Sequence, residues 1–284
     1  MSELLSRGRG LLAVDAAASP ALRRTVLETP GLGRCVGGVL LEPDMLDGGV
    51  AGPVARGCAV GVALDAGDLP QALRDPSGFL AQRMAAWAGA GVTFSGWTAE
   101  VDDGDPDTRE EQANMAASWA LACRETETVP LLRCRAPVPP RAPLGAAQAR
   151  LRNVVELLLA TLEHRGVDPA GMLLEIDPVL PGSRHAEVAS PDDAARATVR
   201  ALREGGVGEI GGVVLRAPHR LSDLPAHLDA VVRSAPAVRW GFGVELSALV
   251  PARAARRGQD RAVQYEVRTR LDGLVRVLRA GAAA

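Results

Sequence analysis

No lysine occurs anywhere in the sequence, and all 32 basic side chains belong to arginine. Lysine is normally among the commonest residues, so this exchange is a strong compositional bias. A coding bias accounts for arginine at surface positions, but it does not supply an amine. Because the guanidinium group stays protonated, arginine cannot form an imine with a carbonyl compound. The composition therefore excludes any mechanism in which a lysine of this chain forms a Schiff base.

Long apolar segments are also missing. Apolar runs such as Val36–Leu41 and Val154–Leu162 are far shorter than the roughly 20 residues that a membrane helix needs. The opening residues, MSELLSRGRG, contain two arginines but no apolar segment typical of a secretion signal. The net charge of −2 does not indicate binding to nucleic acid or to an anionic membrane. We therefore expect a cytoplasmic protein without nucleic-acid or membrane partners.

Cysteine is scarce, with four residues in the chain: Cys35, Cys58, Cys123 and Cys134. No two of them form a CxxC pair, and each lies in or beside an apolar stretch. This pattern predicts buried free thiols in a reducing compartment. A disulfide or a thiol metal site is the less favoured alternative on this spacing.

Short apolar runs typical of buried strands recur along the chain. There are eight of them: Gly10–Asp15, Gly38–Glu42, Ala59–Asp65, Val92–Gly96, Val129–Arg135, Met172–Asp177, Gly212–Arg216 and Val238–Glu245. Amphipathic stretches that predict helices lie between most of them. These stretches are Gly78–Gly89, Arg109–Glu125, Gln148–His164, Pro191–Arg203 and Asp223–Arg233. Apolar strands that alternate with helices indicate a parallel sheet covered on its faces.

Eight such repeats in a chain of 284 residues predict a closed (β/α)₈ barrel, also called a TIM barrel. Hydrophobic residues make up 47% of the chain, enough for one large core, so we expect a single domain over residues 1–284. The alternative is a doubly wound open sheet. No GxGxxG or GxxxxGK[ST] loop follows the first strand, which does not favour the nucleotide-binding versions of that fold.

Several segments resemble the class I fructose-bisphosphate aldolases, in the order in which that family has them. RGRGLLAVDAAAS resembles the opening strand, GCAVGVALDAGDLP the third, and FLAQRMAAWAGAGVTFSGW the helix and fourth strand. EEQANMAASWALACRETETVPLL, LLEIDPVLPG and WGFGVELSAL resemble the fifth, sixth and eighth strand regions. The resemblance extends over nearly the whole chain and implies a TIM barrel that commonly forms oligomers. We therefore expect a homo-oligomer or a partner of an active relative.

The family's functional residues are almost all replaced at the matching positions. Asp15 matches the first-strand catalytic aspartate, and the Schiff-base lysine of the sixth strand falls on Glu175. The remaining functional positions carry other residue types: Ala63, Gly96, Arg133, Arg135, Ala217-Pro218-His219 and Ala248. The resemblance places glutamates where this chain has Arg133 and Arg135, so the charges of strands five and six are exchanged. A buried charge without a partner is unfavourable, and the exchange preserves an opposite pair.

The candidate site lies where the carboxyl ends of the strands meet, the face on which TIM-barrel enzymes carry their active sites. The candidate catalytic residues are Glu175, Asp15 and Asp177, as general acids or bases. The candidate substrate-binding residues are Arg133, Arg135, Arg216, His219, Arg220 and Glu245, with the first two as a clamp for an anion. No cofactor or protein-bound metal is expected. A Mg²⁺ ion held by carboxylates such as Asp15, Glu42, Asp65, Glu175 and Glu245 is an alternative without support from spacing. We expect His164, His185 and His227 at the surface, and Trp87 and Trp119 in the core.

Two functions remain open at this point. In the first, the chain is a repurposed enzyme that uses carboxylates and an arginine clamp on a small anionic metabolite. In the second, it is a non-catalytic pseudoaldolase, in which Asp15, Arg133, Arg135 and Glu175 form a neutral plug and the protein acts as a binding or assembly partner. An open cavity lined by Arg133, Glu175 and Asp15 favours the first, and a mouth filled by side chains favours the second. A working fructose-bisphosphate aldolase is not expected.

Overall fold

The computed structural model describes residues 4–15, 18–47, 57–69, 77–101, 106–217, 220–250 and 260–281. Eight strands form a closed parallel barrel in which each strand pairs with the next and the last pairs with the first. The strands are β1 (Gly10–Val14), β2 (Val36–Leu41), β3 (Ala59–Asp65), β4 (Phe94–Glu100), β5 (Val129–Arg135), β6 (Leu173–Ile176), β7 (Gly212–Arg216) and β8 (Trp240–Glu245). Closure between β1 and β8 confirms the predicted barrel and excludes the open sheet.

Helices alternate with the strands and cover the outside of the barrel. The α-helices of the described residues are Pro20–Leu27, Leu32–Cys35, Pro43–Asp47, Ser77–Gly89, Pro106–Glu125, Leu144–His164, Pro191–Glu204, Leu224–Ser234, Leu246–Leu249 and Asp260–Gly281. The helices of more than ten residues were predicted from the sequence to within a few residues, except Asp260–Gly281. The helix Pro191–Glu204 begins where the sequence predicts it, because Ser190 Oγ accepts a hydrogen bond from Asp193 N at 3.1 Å and Pro191 occupies the first helical position.

The fourth strand differs from its prediction in a way that bears on the site. Residues Val92–Gly96 were predicted, whereas the strand begins at Phe94 and continues to Glu100. Val92 instead closes the end of the preceding helix, since its backbone N donates to Trp87 O at 3.0 Å. The shift adds Thr98 and Glu100 to the strand residues whose side chains point into the barrel.

The apolar core has two parts. One fills the barrel interior and consists of Leu4, Leu5, Leu11, Leu40, Phe94, Leu131, Leu173 and Val214. The other lies between the strands and the surrounding helices and includes Trp87 and Trp119, as predicted. Full burial of one such leucine contributes about 1.5–3 kcal/mol. Leu4 and Leu5 close the amino-terminal end of the barrel, since they lie against the first residues of β2, β7 and β8. Among the described residues, the carboxyl-terminal end of the barrel is not covered in this way.

No helix within the described ranges is both long enough and apolar enough to cross a lipid bilayer.

Candidate functional site

A buried ionic cluster occupies the upper part of the barrel. Arg133 and Glu175 are register partners on β5 and β6, so their side chains enter the barrel side by side. Arg133 Nε donates to Glu175 Oε1 at 3.1 Å, and Arg135 Nη2 donates to the same oxygen. The side chains are 13%, 12% and 5% exposed for Arg133, Arg135 and Glu175. We call these three residues the lumen triad. Their pairing agrees with the exchange of charges inferred from the sequence.

Further hydrogen bonds fix both arginines of the lumen triad. Arg133 Nη1 donates to Thr98 Oγ1 at 3.3 Å, and Arg135 Nη1 donates to the backbone oxygen of Cys134 at 3.2 Å. Thr98 is the register partner of Arg133 on β4. Because a guanidinium group carries several donors, these contacts satisfy protons that Glu175 alone could not accept.

Two glycines make room for the lumen triad. A Cβ atom on Gly243 of β8 would lie 3.1 Å from Glu175 Oε2, and one on Gly96 of β4 would lie 3.2 Å from Arg133 Cδ. Such distances are shorter than ordinary van der Waals contact. The resemblance places a lysine of the aldolase family at Gly96. Arg133 of β5 therefore occupies the space that a side chain at Gly96 of β4 would fill.

Glu175 is held in its ionised form. Burial alone would raise the pKa of its carboxyl group, but the charges and hydrogen bonds of Arg133 and Arg135 outweigh burial and lower that pKa from 4.5 to about 2. An effective general base has a pKa near the working pH, so a carboxylate with a pKa of about 2 is a weak base. It also accepts two charged hydrogen bonds that a proton would have to displace. The geometry therefore favours a positioning role for Glu175.

A second ionic cluster lies nearer to solvent, where β6, β7 and β8 end. Arg216 Nε and Nη2 donate to the two carboxylate oxygens of Asp177 at 2.6 and 3.0 Å, and Arg216 Nη1 donates to Glu245 Oε1 at 3.1 Å. The side chain of Arg216 is 28% exposed, whereas Asp177 and Glu245 are 40% and 41% exposed. We call these three residues the rim cluster. Burial alone would lower the pKa of Arg216, but the bond and charge of Asp177 raise it, so Arg216 stays charged.

The rim cluster forms part of the wall of a cavity of about 560 Å³ at the carboxyl-terminal face. Within the described part of the chain, its charged lining residues are Glu100, Arg135, Asp177, Arg216 and Glu245. The rest of the wall is mostly apolar and comes from the loops after β5 and β6, including Pro137, Val138, Pro178, Val179, Leu180 and Pro181. We call this space the mouth cavity. Its volume falls within the range of small-molecule sites.

The mouth cavity lies to one side of the position expected from the sequence. Arg133, Glu175 and Asp15 do not line it, whereas Arg135 does. The void that described residues form beside Arg133 and Glu175 measures about 10 Å³. The structure therefore combines features of both expectations: the site that matches the family's lysine is filled, and an open cavity lies beside it over β5–β8.

Asp15 is not part of the lumen triad, which corrects the plug expected from the sequence. Its carboxylate accepts hydrogen bonds from the backbone N of Ala18 and of Ser247, both at 3.1 Å. It thus joins the end of β1 to the segment after β8. Among the described residues that line the mouth cavity, Arg220 does not occur, and its side chain is exposed. His219 lies outside the described residues.

The other polar residues of the expected carboxylate ring do not assemble into a metal site. Asp65 Oδ1 accepts from Gly67 N at 2.7 Å and caps its own turn. Within the parts of the chain that the structure describes, no group of three or more His, Cys, Asp or Glu side chains could hold a metal ion. The carboxylates proposed for Mg²⁺ therefore lack the clustering that such a site requires.

The cysteines are free thiols, as the sequence predicts, and Cys35, Cys123 and Cys134 are buried. Burial raises the pKa of each of these three thiols to about 12. Since the thiolate is the nucleophile, they are unreactive near neutral pH, although Cys134 borders the mouth cavity.

His227 was predicted at the surface, and this prediction is wrong. It lies on the helix Leu224–Ser234, is only 7% exposed, and its Nδ1 has no hydrogen-bond partner. Burial lowers the pKa of His227 below its ordinary value. The helix packs against both Pro191–Glu204 and Asp260–Gly281, and the sequence analysis had not identified the latter as a helix. Without that covering helix the position looks exposed.

Comparisons with known proteins agree with the fold. The family model described as "Fructose-bisphosphate aldolase class-I" matches residues 62–240. "Probable fructose-bisphosphate aldolase class 1" of Xylella fastidiosa strain Temecula1 is 24% identical over 264 residues, covering 80% of this chain and 79% of the relative. "Fructose-bisphosphate aldolase C" of Rattus norvegicus is 27% identical over 268 residues, covering 85% of this chain and 73% of the relative.

A solved structure of fructose-bisphosphate aldolase from Plasmodium falciparum, in complex with TRAP and a small-molecule inhibitor, has the same fold. It superimposes with a TM-score of 0.80 at 18% identity and covers 98% of this chain and 92% of that chain. The family model spans more than half of the sequence, and the barrel is the one that the structural relative has. The chain belongs to the class I fructose-bisphosphate aldolase family.

Proposed function

We propose that the protein is an aldolase-family barrel that no longer performs Schiff-base chemistry and acts instead on a small polar metabolite in the mouth cavity. The observation that supports this most is the contrast between the two ionic clusters. The lumen triad fills the position that the resemblance gives to the nucleophile. The rim cluster, in contrast, presents two carboxylates to an open space of suitable size.

Asp177 and Glu245 are the groups that we assign to proton transfer. Each has a carboxylate oxygen on Arg216, which fixes its orientation, and each remains about two-fifths exposed. One of them accepts a proton from a substrate carbon or hydroxyl group and returns it to another atom. Atoms and charge balance over the cycle, as in an isomerisation or a lyase reaction without a covalent intermediate. Arg216 holds both carboxylates in place, and Glu175 positions Arg135 in the wall of the mouth cavity.

A non-catalytic protein is the second candidate, and the lumen triad favours it. A barrel that has lost its active site must still pair the charges buried there in order to stay folded. The three charged side chains of the lumen triad pair with one another in this way. In this case the protein is a binding or assembly partner, as a homo-oligomer or with an active relative, and any ligand in the mouth cavity is bound without turnover.

Ligand binding followed by a test of turnover distinguishes the two candidates. A library of polar metabolites is screened by thermal shift, and each compound that stabilises the protein is incubated with it and followed by mass spectrometry or NMR. A ligand at a hundred times its Kd stabilises the protein by about 2.7 kcal/mol, which in a chain of this length raises Tm by about 4–5 °C.

The variants Asp177→Asn and Glu245→Gln are compared with Glu204→Gln, an exposed glutamate at the end of the helix Pro191–Glu204. We expect the first two to lose turnover and the control to retain it. If ligands bind without any conversion, the non-catalytic candidate is correct. If Glu175→Gln and Arg133→Ala, in folded protein, leave every activity and melting shift intact, the lumen triad has no part in positioning the site.

A further inference from the structure

The charged groups of the mouth cavity are arranged in depth. Its arginines lie behind its carboxylates: the side chains of Arg135 and Arg216 are 12% and 28% exposed, against 40% and 41% for Asp177 and Glu245. Glu100, the fifth charged lining residue, is exposed. A ligand that enters the mouth cavity therefore meets carboxylate oxygens before it meets guanidinium groups.

The formal charge of the described residues that line the mouth cavity also favours a cation over an anion. Of the described residues that line the mouth cavity, two are arginines and three are carboxylates, which together carry a formal charge of −1. Arg135 is already paired with Glu175, and Arg216 is already paired with both Asp177 and Glu245. An anion would have to compete with these carboxylates, since each guanidinium group already donates to at least one of them. A cation has only to approach the exposed oxygens.

The opposite wall is apolar and is held in place by backbone hydrogen bonds between two loops. Gly182 N donates to Ala142 O at 2.8 Å, and Arg184 N donates to Pro140 O at 2.6 Å. These bonds join the loop after β6 to the loop after β5. The proline, valine and leucine side chains of the two loops then form one continuous surface of the mouth cavity. A preformed apolar wall favours a ligand with an apolar body, because little ordering is needed on binding.

We propose that the ligand of the mouth cavity is an amine: a cation with an apolar body, whose ammonium group lies on Asp177, Glu245 and Glu100. This inference rests on the proposed function, because it takes the mouth cavity as the ligand site. It departs from the anionic metabolite expected from the sequence. That expectation named Asp177 and Glu245 as site residues but did not pair them with Arg216, as the structure does.

Three probes with one ring and different charges test the inference. They are 2-phenylethylamine, 2-phenylethanol and 3-phenylpropionate, used with the full chain at pH 7 in calorimetric titration and thermal shift, together with inorganic phosphate. We expect the amine to bind at least tenfold more tightly than the alcohol and the two anions more weakly than either. The affinity for the amine falls as salt is raised from 20 to 300 mM, because exposed charges are screened.

Matched variants locate the bound amine. Glu245→Gln and Glu100→Gln each remove one negative charge from the mouth cavity and should weaken amine binding about three- to tenfold. Glu204→Gln removes the same charge far from it and should leave the affinity unchanged. Glu100 gives the second variant in case loss of the bond to Arg216 destabilises Glu245→Gln.

The possible outcomes separate the inference from the proposed function. If phosphate or 3-phenylpropionate binds as tightly as the amine, the mouth cavity is an anion site, and the inference is wrong while the proposed function stands. If the amine binds equally to all variants, it lies elsewhere, and the inference is again wrong. If neither these probes nor any compound of the metabolite library binds, both the inference and the proposed function are wrong.

Discussion

Removal of the carboxylate of Glu175 tests the lumen triad directly. Glu175→Gln keeps the shape of the side chain, so no cavity forms, but it leaves Arg133 and Arg135 without a counter-charge at 13% and 12% exposure. Breaking a buried ion pair by removal of one partner costs about 3–5 kcal/mol. Since domains are stable by only about 5–15 kcal/mol, we expect the variant to lose about a fifth or more of its free energy of unfolding.

The loss is measured by urea unfolding and by calorimetry. Unfolding entropy of about 2.1 cal/mol/K per residue means that 3–5 kcal/mol lowers Tm by about 5–8 °C in a chain of this length. The matched control is Glu163→Gln, an exposed glutamate in the helix Leu144–His164, which should unfold as the wild type does.

The dependence on pH gives an independent check. The pKa of Glu175 is lowered from 4.5 to about 2 in the folded protein, which corresponds to about 3 kcal/mol in favour of the ionised form. A carboxyl group with a lowered pKa stabilises the fold above its ordinary pKa, and this contribution is lost as the pH falls from 4.5 towards 2. The difference in stability between wild type and Glu175→Gln should therefore be constant from pH 5 to 7 and shrink below pH 4.

Two results would refute this reasoning. One is a Glu175→Gln variant within about 1 kcal/mol of the wild type, the ordinary range for an exposed pair. The other comes from the exchanged pair Arg133→Glu/Glu175→Lys, in which opposite charges remain on the same two register partners. We expect the double variant to be more stable than the sum of the two single effects by at least about 1 kcal/mol. Strict additivity would mean that the two side chains do not interact.

Three further predictions concern other parts of the molecule. Gly243→Ala should destabilise the protein by about 1–3 kcal/mol in thermal melts, because its Cβ would lie 3.1 Å from Glu175 Oε2. The control Gly145→Ala has open space around it and should not lower Tm. Equal Tm values for the two variants would mean that the side chains inside the barrel rearrange to accept the extra methyl group. Borohydride reduction in the presence of dihydroxyacetone phosphate should leave the intact mass unchanged, since no lysine is present, and a stable adduct would contradict the proposed function. Burial lowers the pKa of His227, so the unfolded chain binds a proton more readily than the folded one. The wild type should therefore lose stability from pH 7 to 5, with a slope of at most about 1.4 kcal/mol per pH unit. His227→Leu should flatten that slope, and equal pH dependence of stability in the variant and the wild type would count against the burial of His227.

The barrel could be predicted from the sequence because its evidence is local and repeated. Each strand is an apolar run, and some helices carry a local start signal, as Pro191–Glu204 does at Ser190 and Pro191. An error at one element, such as the shift of β4 from Val92–Gly96 to Phe94–Glu100, leaves the other seven in place. The pairing of Arg133 with Glu175 could also be predicted, since neighbouring parallel strands in a known register bring specific residues side by side.

The location of the cavity could not be predicted in the same way. Arg135 was expected to clamp a ligand, but its guanidinium group turns onto Glu175, and the same long side chain could have reached elsewhere. Arg216 was expected to be available, but Asp177 and Glu245 from two other strands neutralise it. Rotamers of long charged side chains depend on groups far apart in the chain, so no local pattern indicates where space remains open.

The sequence by itself determined the family, the order of strands and helices, and the absence of a lysine side chain that could attack a carbonyl group, since each follows from residue identity or from short-range periodicity. Only the tertiary structure decided that the carboxylate at the nucleophile position is sealed between two arginines and that the open space lies over β5–β8. It also decided that Asp177 and Glu245 are more exposed there than Arg216, which lies between them. These properties depend on packing and ion pairing between side chains from different strands. Those side chains come into contact only when the barrel has closed.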